Sequence, residues 1–193
     1  MKKYKKLYKV KKMIKKLDKN SKTYENLLAA YAGESQARVK YEYYASRAKK
    51  DGFVQMSNIF DETSRNEKEH AKIWFKLLHD GVPETAENLK DGVKGELYEY
   101  NTMYADFAKT AYEEGYTEIG DLFTQVGAIE KHHADRYAKL LRNIEEDTVF
   151  KNNIPTKWKC GNCGHIHVGE EAPDICPVCD HPKAYFELLD ENY

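Results

Sequence analysis

Cysteine is missing from the first 159 of the chain's 193 residues, and no stretch comes near the run of roughly 18 apolar residues that a membrane helix needs. The second absence excludes a transmembrane helix. A Gly-rich dinucleotide fingerprint is also missing, so the chain is not expected to bind NADH itself. The opening MKKYKKLYKVKKMIKKLDKN lacks the apolar middle and small-residue cleavage site of a signal peptide. It is poor in acids, like a transit peptide, but holds no Arg. With no export signal, a reducing cytoplasm is the expected compartment. All four cysteines fall between 160 and 179, and thiols packed so closely point to metal rather than to a disulfide framework.

What is present divides the chain into parts. The net charge of −1 hides an asymmetry: residues 1–22 carry eleven Lys and one Asp, or +10, which leaves −11 for the rest. The basic start reads as a solvated extension, because like charges resist packing. The competing reading is a dock for an acidic partner or a membrane surface. Elsewhere neither nucleic acid nor membrane is an expected partner. Apolar residues recur at spacings of three and four and predict helices over 24–50, 54–79, 86–113 and 117–146. Asp51-Gly52 and Glu114-Gly115 punctuate them. Pro155 argues against a continuing helix, so 148–157 reads as a linker. The expected organisation is an extension at 1–22, a helical bundle at 23–147, that linker, and a small domain at 158–193.

The bundle contains a repeat. Laid over 111–135 at an offset of 63, residues 48–72 give seven identities in 25, including Gly52/Gly115, Glu67/Glu130 and His70/His133. Further upstream the offset is 62, and GESQA at 33–37 answers GELYE at 95–99, placing Glu34 opposite Glu96. The repeated unit is a helical hairpin with a Glu on its first helix and Glu-x-x-His on its second. Two copies predict a four-helix bundle with pseudo-twofold symmetry.

Each helix carries a carboxylate on its apolar stripe. On the second helix the stripe runs through Ile59, Phe60, Glu67, His70 and Trp74; on the fourth, through Phe123, Val126, Glu130 and His133. Glu34, Glu96 and Glu99 lie on the stripes of the other two. Ionised carboxylates are rarely buried unless paired or metal-bound, since desolvation costs several kcal/mol each. No inward set of Arg or Lys balances these five. Two divalent or trivalent cations would. A Glu and a His three residues apart leave one helical face about 4.5 Å apart along the axis and can reach one centre. Any one of these Glu could be a surface residue on a misjudged face; the duplicated set is not explained that way. Two Glu plus two Glu-x-x-His is the ligand set of ferritin-like di-iron and di-manganese bundles.

In the tail, Cys160-x2-Cys163 and Cys176-x2-Cys179 form two knuckles suited to tetrahedral thiolate coordination. Iron and zinc both accept that geometry. His165, His167 and His181 are not needed as ligands if four Cys suffice.

GESQAR (33–38), Asp51-Gly52-Phe53, NEKEHAK (66–72), GELYEYNTMY (95–104), Glu130-x-x-His133 and CGNCG…CPVC followed by HPKAYFELL together resemble the rubrerythrins over about residues 20–190. The resemblance implies a mainly α fold: a ferritin-like di-iron four-helix bundle joined to a rubredoxin-like domain with one iron. It implies that Glu67 and Glu130 bridge two irons and that Glu34 and Glu96 are terminal ligands, with His133 beside Glu96. One iron is implied to exchange Glu99 for His70 on reduction. Tyr41 and Tyr104 match tyrosines that hydrogen-bond ligand carboxylates. The implied activity is a peroxidase, reducing hydrogen peroxide to water. Its electrons come from NAD(P)H through a separate reductase, or from rubredoxin, by way of the four-cysteine iron. The implied assembly is a homodimer.

The alternative function is a ferritin-type iron oxidase or store, which gives the tail no role. A non-enzymatic interaction protein with a zinc ribbon and an oxygen-activating hydroxylase are further rivals. The connection after the second helix is short. About six free residues span at most roughly 25 Å, against about 40 Å for a crossover along the bundle. A domain-swapped dimer is therefore expected.

Overall fold

The computed structural model describes residues 17–191. Residues 1–16, and with them most of the lysine-rich start, lie outside the described residues. The chain divides into two compact units, one ending at Pro83 and the other beginning at Glu84.

The first unit is a hairpin of α1 (Lys22–Lys50) and α2 (Val54–Leu78). Ser21 caps α1, its hydroxyl accepting from the Tyr24 amide at 3.2 Å. The second unit opens with a matching hairpin. Its first arm is α3 (Thr85–Tyr98), a π-helical turn (Glu99–Met103) and α4 (Tyr104–Glu113); its second arm is α5 (Thr117–Glu145). The sequence pattern predicts one continuous helix over 86–113, and the π turn interrupts it.

The two hairpin turns are copies. Gly52 and Gly115 have φ of 85° and 84°, in the left-handed region where a side chain is strained. The next amides reach back alike, Phe53 to Ala48 O at 2.9 Å and Tyr116 to Ala111 O at 2.8 Å. Gly115→Ala is expected to cost about 1–2 kcal/mol and lower the melting temperature by a few degrees, measured by circular dichroism. An unchanged midpoint would mean that the turn relaxes without a left-handed residue.

Each seam is lined by small residues. Ala45 and Ala48 are buried on α1, and Ser57, Ser64 and Ala71 on α2. Their counterparts are Ala108 and Ala111 on α4, and Gly120, Gly127 and Ala134 on α5. Small side chains let two helix backbones approach closely. The large apolar residues stand off this seam: Ile59, assigned to the inward stripe by its spacing, is 56% exposed. A single hairpin seam needs little volume, so it selects size rather than apolarity.

Two aromatic triplets repeat the symmetry. Tyr41–Phe60 and Tyr104–Phe123 have ring centroids 6.1 and 6.0 Å apart. Tyr44–Phe60 and Phe107–Phe123 are 5.5 and 5.6 Å apart.

The tail is a three-stranded antiparallel sheet, with β1 (Lys151–Cys160) between β2 (Ile166–Glu171) and β3 (Phe186–Leu188). β1 begins inside the stretch expected to be linker. Its pairing with β2 is irregular between Lys151 and Thr156, where Pro155 has no N–H to give to the ladder. Trp158, Cys160, Ala172, Cys176 and Phe186 form the buried core, and the Trp158 indole donates to Gly169 O at 3.0 Å.

Candidate metal centres

The tail site follows from two matching knuckles. Each ends on a residue with positive φ, Gly164 at 78° and Asp180 at 57°. Their amides donate to Cys160 O and Cys176 O at 2.8 and 3.0 Å. The Cys160 and Cys176 amides donate to His165 O and His181 O, each at 2.8 Å. This backbone turns all four side chains toward one point. Cys160 Sγ–Cys179 Sγ is 3.8 Å and Cys163 Sγ–Cys176 Sγ is 3.7 Å. Sulfurs about 2.3 Å from a central ion at tetrahedral angles lie about 3.8 Å apart, whereas a disulfide needs about 2.05 Å. The separations fit a four-thiolate ion.

Electrostatics agree. The backbone amide of His181 brings the Cys179 thiol down to about 6. Cys163 is drawn down by the His165 amide, but the neighbouring Cys179 and desolvation outweigh it and push it up to about 12. Without a cation the Cys163 thiol keeps its proton beside Cys179; an ion with charge +2 or +3 removes that conflict.

Each hairpin carries its own group of three donors. In the first unit Glu34, Glu67 and His70 converge; in the second, Glu96, Glu130 and His133. His70 Nδ1 is 2.8 Å from Glu67 and 3.7 Å from Glu34. His133 Nδ1 is 2.8 Å from Glu130 and 3.5 Å from Glu96. Donors three residues apart on one helix produce the short pair, and the neighbouring helix supplies the third donor. These groups are half-buried rather than buried: the His70 side chain is 52% exposed and Glu67 16%.

The donor set fits a cation. Burial, and then the hydrogen bond and charge of Glu130, hold Glu96 above the ordinary carboxylate range. A carboxylate in that position is stabilised by positive charge, and among the described residues no Lys or Arg forms an ion pair with Glu34, Glu67, Glu96 or Glu130.

Glu99 belongs to neither group of three. It opens the π turn, near enough for its charge to act on Glu96 and Tyr104. The Tyr104 phenol is held above its usual value by burial and then by Glu130 and Glu99, so it stays protonated beside them. Tyr41 packs against Phe60 and Tyr44, and among the described residues no hydrogen bond ties it to Glu34 or Glu67.

Spacing alone did not anticipate the π turn, but the sequence carried its signal. The repeat offset is 62 at Glu34/Glu96 and 63 at Tyr41/Tyr104, so one residue is added between them, and the turn spans 99–103. π turns of this kind are frequent at functional sites.

The family model described as Rubrerythrin matches residues 25–141, and that of the rubrerythrin rubredoxin-like domain matches 158–187. The chain is 47% identical over 187 residues to rubrerythrin of Nitratidesulfovibrio vulgaris, covering 91% of this chain and 98% of that one. It is 43% identical to a putative rubrerythrin of Methanocaldococcus jannaschii, with coverages of 89% and 94%. A solved nigerythrin structure in a mixed-valence state aligns at 31% identity over 92% of this chain and 95% of the other, with a TM-score of 0.33.

Proposed function

Since this chain belongs to the rubrerythrin family, with its di-iron site in a ferritin-like helical part and its four-cysteine iron in a rubredoxin-like tail, we propose that it is a hydrogen peroxide reductase. Electrons start on NAD(P)H, pass through a separate reductase or a rubredoxin, and reach the di-iron site through the four-cysteine iron. One observation carries this reading: two kinds of donor set in a single chain. Four converging thiolates leave an ion no free position, which suits electron transfer. Carboxylate and imidazole donors around a half-open centre leave room for substrate.

When bound, the iron pair supplies the two electrons that, with two protons, convert hydrogen peroxide to two waters. Glu67 and Glu130 would be the carboxylates shared by the pair, with Glu34 and Glu96 each holding one ion and His133 on the same ion as Glu96. His70 and Glu99 would be alternative donors to one ion, Glu99 lying in the π turn. The Tyr104 hydroxyl keeps its proton beside Glu130 and Glu99 and would donate toward the carboxylates with the metals in place. Tyr41, which packs on Phe60 and Tyr44, would take the equivalent part in the first hairpin.

Six residues separate α2 from α3. The helices bearing the ligands expose large apolar residues, among them Ile73, Leu122 and Ile129. Trp74 Nε1, one turn beyond His70, is a buried donor without a partner. These features support a domain-swapped homodimer, in which the first hairpin of one chain completes the site with the second hairpin of another. No described helix is long and apolar enough to cross a membrane. Four cysteines that converge as metal ligands rather than as disulfides suit a reducing cytoplasm.

The test is stopped-flow spectroscopy of the anaerobically reduced protein mixed with hydrogen peroxide. Rapid return of the tail's visible absorption, with peroxide consumed, is expected. Tail oxidation that ignores peroxide would overturn the reading in favour of iron oxidation. Cys160→Ser is expected to remove reductase-dependent NADH oxidation while the helical circular dichroism stays unchanged. NADH oxidation at the normal rate in that variant would exclude the tail from the relay.

A further inference from the structure

Beside the π turn, within the second unit, a cleft of about 500 Å³ opens between α4 and α5. Its walls include Tyr100, Tyr104, Tyr112, Phe123, Ala105 and Gly127. The first hairpin fills the corresponding place. At the repeat offset of 63, Glu42 stands where the second hairpin has Ala105, and Ser64 where it has Gly127. Ser64 Oγ donates to Arg38 O at 3.1 Å and meets Glu42 Oε1 at 3.4 Å, while Arg38 pairs with Glu42 at 3.3 Å. The cleft is thus no general consequence of packing two such helices. It arises where two polar side chains are replaced by Ala and Gly and where the extra residue of the π turn lies.

Further exchanges shape its far wall. Tyr112 replaces Lys49, and Gly120 replaces Ser57. The Tyr112 ring lies so close to Gly120 that a Cβ there would come within 2.5 Å of it. A Cβ at Gly127 would meet Tyr104 Cβ at 3.2 Å.

The lining indicates what fits. Lys109 and Glu113 at the rim pair with each other at 3.9 Å, so the cleft offers no uncompensated charge. The Tyr112 hydroxyl donates to Asp121 at 2.9 Å, and the Thr124 hydroxyl donates to Gly120 O at 3.0 Å. Both protons are committed, and the two oxygens face each other 3.4 Å apart as acceptors. What such a pair lacks is a proton donor. An apolar cavity of about 150 Å³ holds benzene, so a cleft of this size has room for one or two fused rings. We propose that it binds an uncharged planar aromatic alcohol, its ring against Tyr100, Tyr104 and Phe123 and its hydroxyl donating to Thr124 Oγ1. The occupant rests against the turn that begins at Glu99.

Equilibrium dialysis of 1-naphthol against the full-length, metal-loaded protein, without peroxide, tests this apart from any turnover. One saturable site is expected. Ala105→Phe fills the cleft from an exposed helical position and is expected to weaken binding at least about tenfold. Thr124→Val keeps the shape and removes the acceptor; it is expected to weaken 1-naphthol while leaving naphthalene unchanged. Uptake that does not saturate, or equal uptake by the Ala105→Phe protein, would overturn the site. Equal loss of both probes in Thr124→Val would overturn the ligand class.

Discussion

A Glu67→Ala chain is expected to lose peroxide turnover by on the order of a thousandfold or more while keeping the visible absorption of its four-cysteine iron. Glu67 is the more enclosed carboxylate of the first hairpin's group and receives His70 Nδ1 at 2.8 Å. Its removal leaves Glu34 and His70, two donors where three converged, and takes away one of the two proposed bridging carboxylates. The tail's thiolates lie in the other unit and make no use of it. The measurement is peroxide consumption by the reduced variant, with iron content and visible absorption recorded on the same sample. Glu67→Gln separates charge from shape: it keeps the side-chain volume, and its amide is a poor substitute for a bridging carboxylate. Turnover retained at full iron occupancy would rule out the bridging role.

Mixing Glu67→Ala with Glu130→Ala, two variants each expected to be inactive, should restore about a quarter of wild-type turnover after random re-association. In a swapped dimer each site takes its first hairpin from one chain and its second from the other. A mixed dimer then has one site with both substitutions and one with neither. Half of the dimers are mixed and half of their sites are intact, hence the quarter. If one chain supplied both hairpins of a site, every site in the mixture would carry a substitution and no turnover would return. Recovery that follows subunit exchange, monitored by mass spectrometry of intact dimers, would establish the swap; exchange without recovery would exclude it.

The converging donor groups were legible because their chemistry is local. Glu67 with His70, and Glu130 with His133, need only an i,i+3 spacing, and duplication separated them from ordinary surface charge. Cys160-x2-Cys163 and Cys176-x2-Cys179 are legible for the same reason, since a knuckle closes within a few residues. The turn glycines Gly52 and Gly115 marked both hairpins because only left-handed backbone closes them.

The seam was not legible. Ser57, Ser64, Gly120 and Gly127 carry no apolar signal, yet they are the buried positions, because close approach of two helices selects small volume. The stripe containing Ile59 was read as core, although the hairpin leaves that residue exposed. Pro155 marked a break, but only strand pairing shows that β1 begins before it at Lys151. Amino-acid order by itself determined the hairpins, the donors and the tail's thiolate set, since each depends on neighbours within a turn or two. Tertiary structure decided which faces close on which. It showed that one added residue becomes a π turn at Glu99 rather than a loop, and that a cleft opens at Ala105 and Gly127 where the first hairpin has Glu42 and Ser64. Those outcomes depend on the volume and hydrogen bonds available between helices, which no single segment contains.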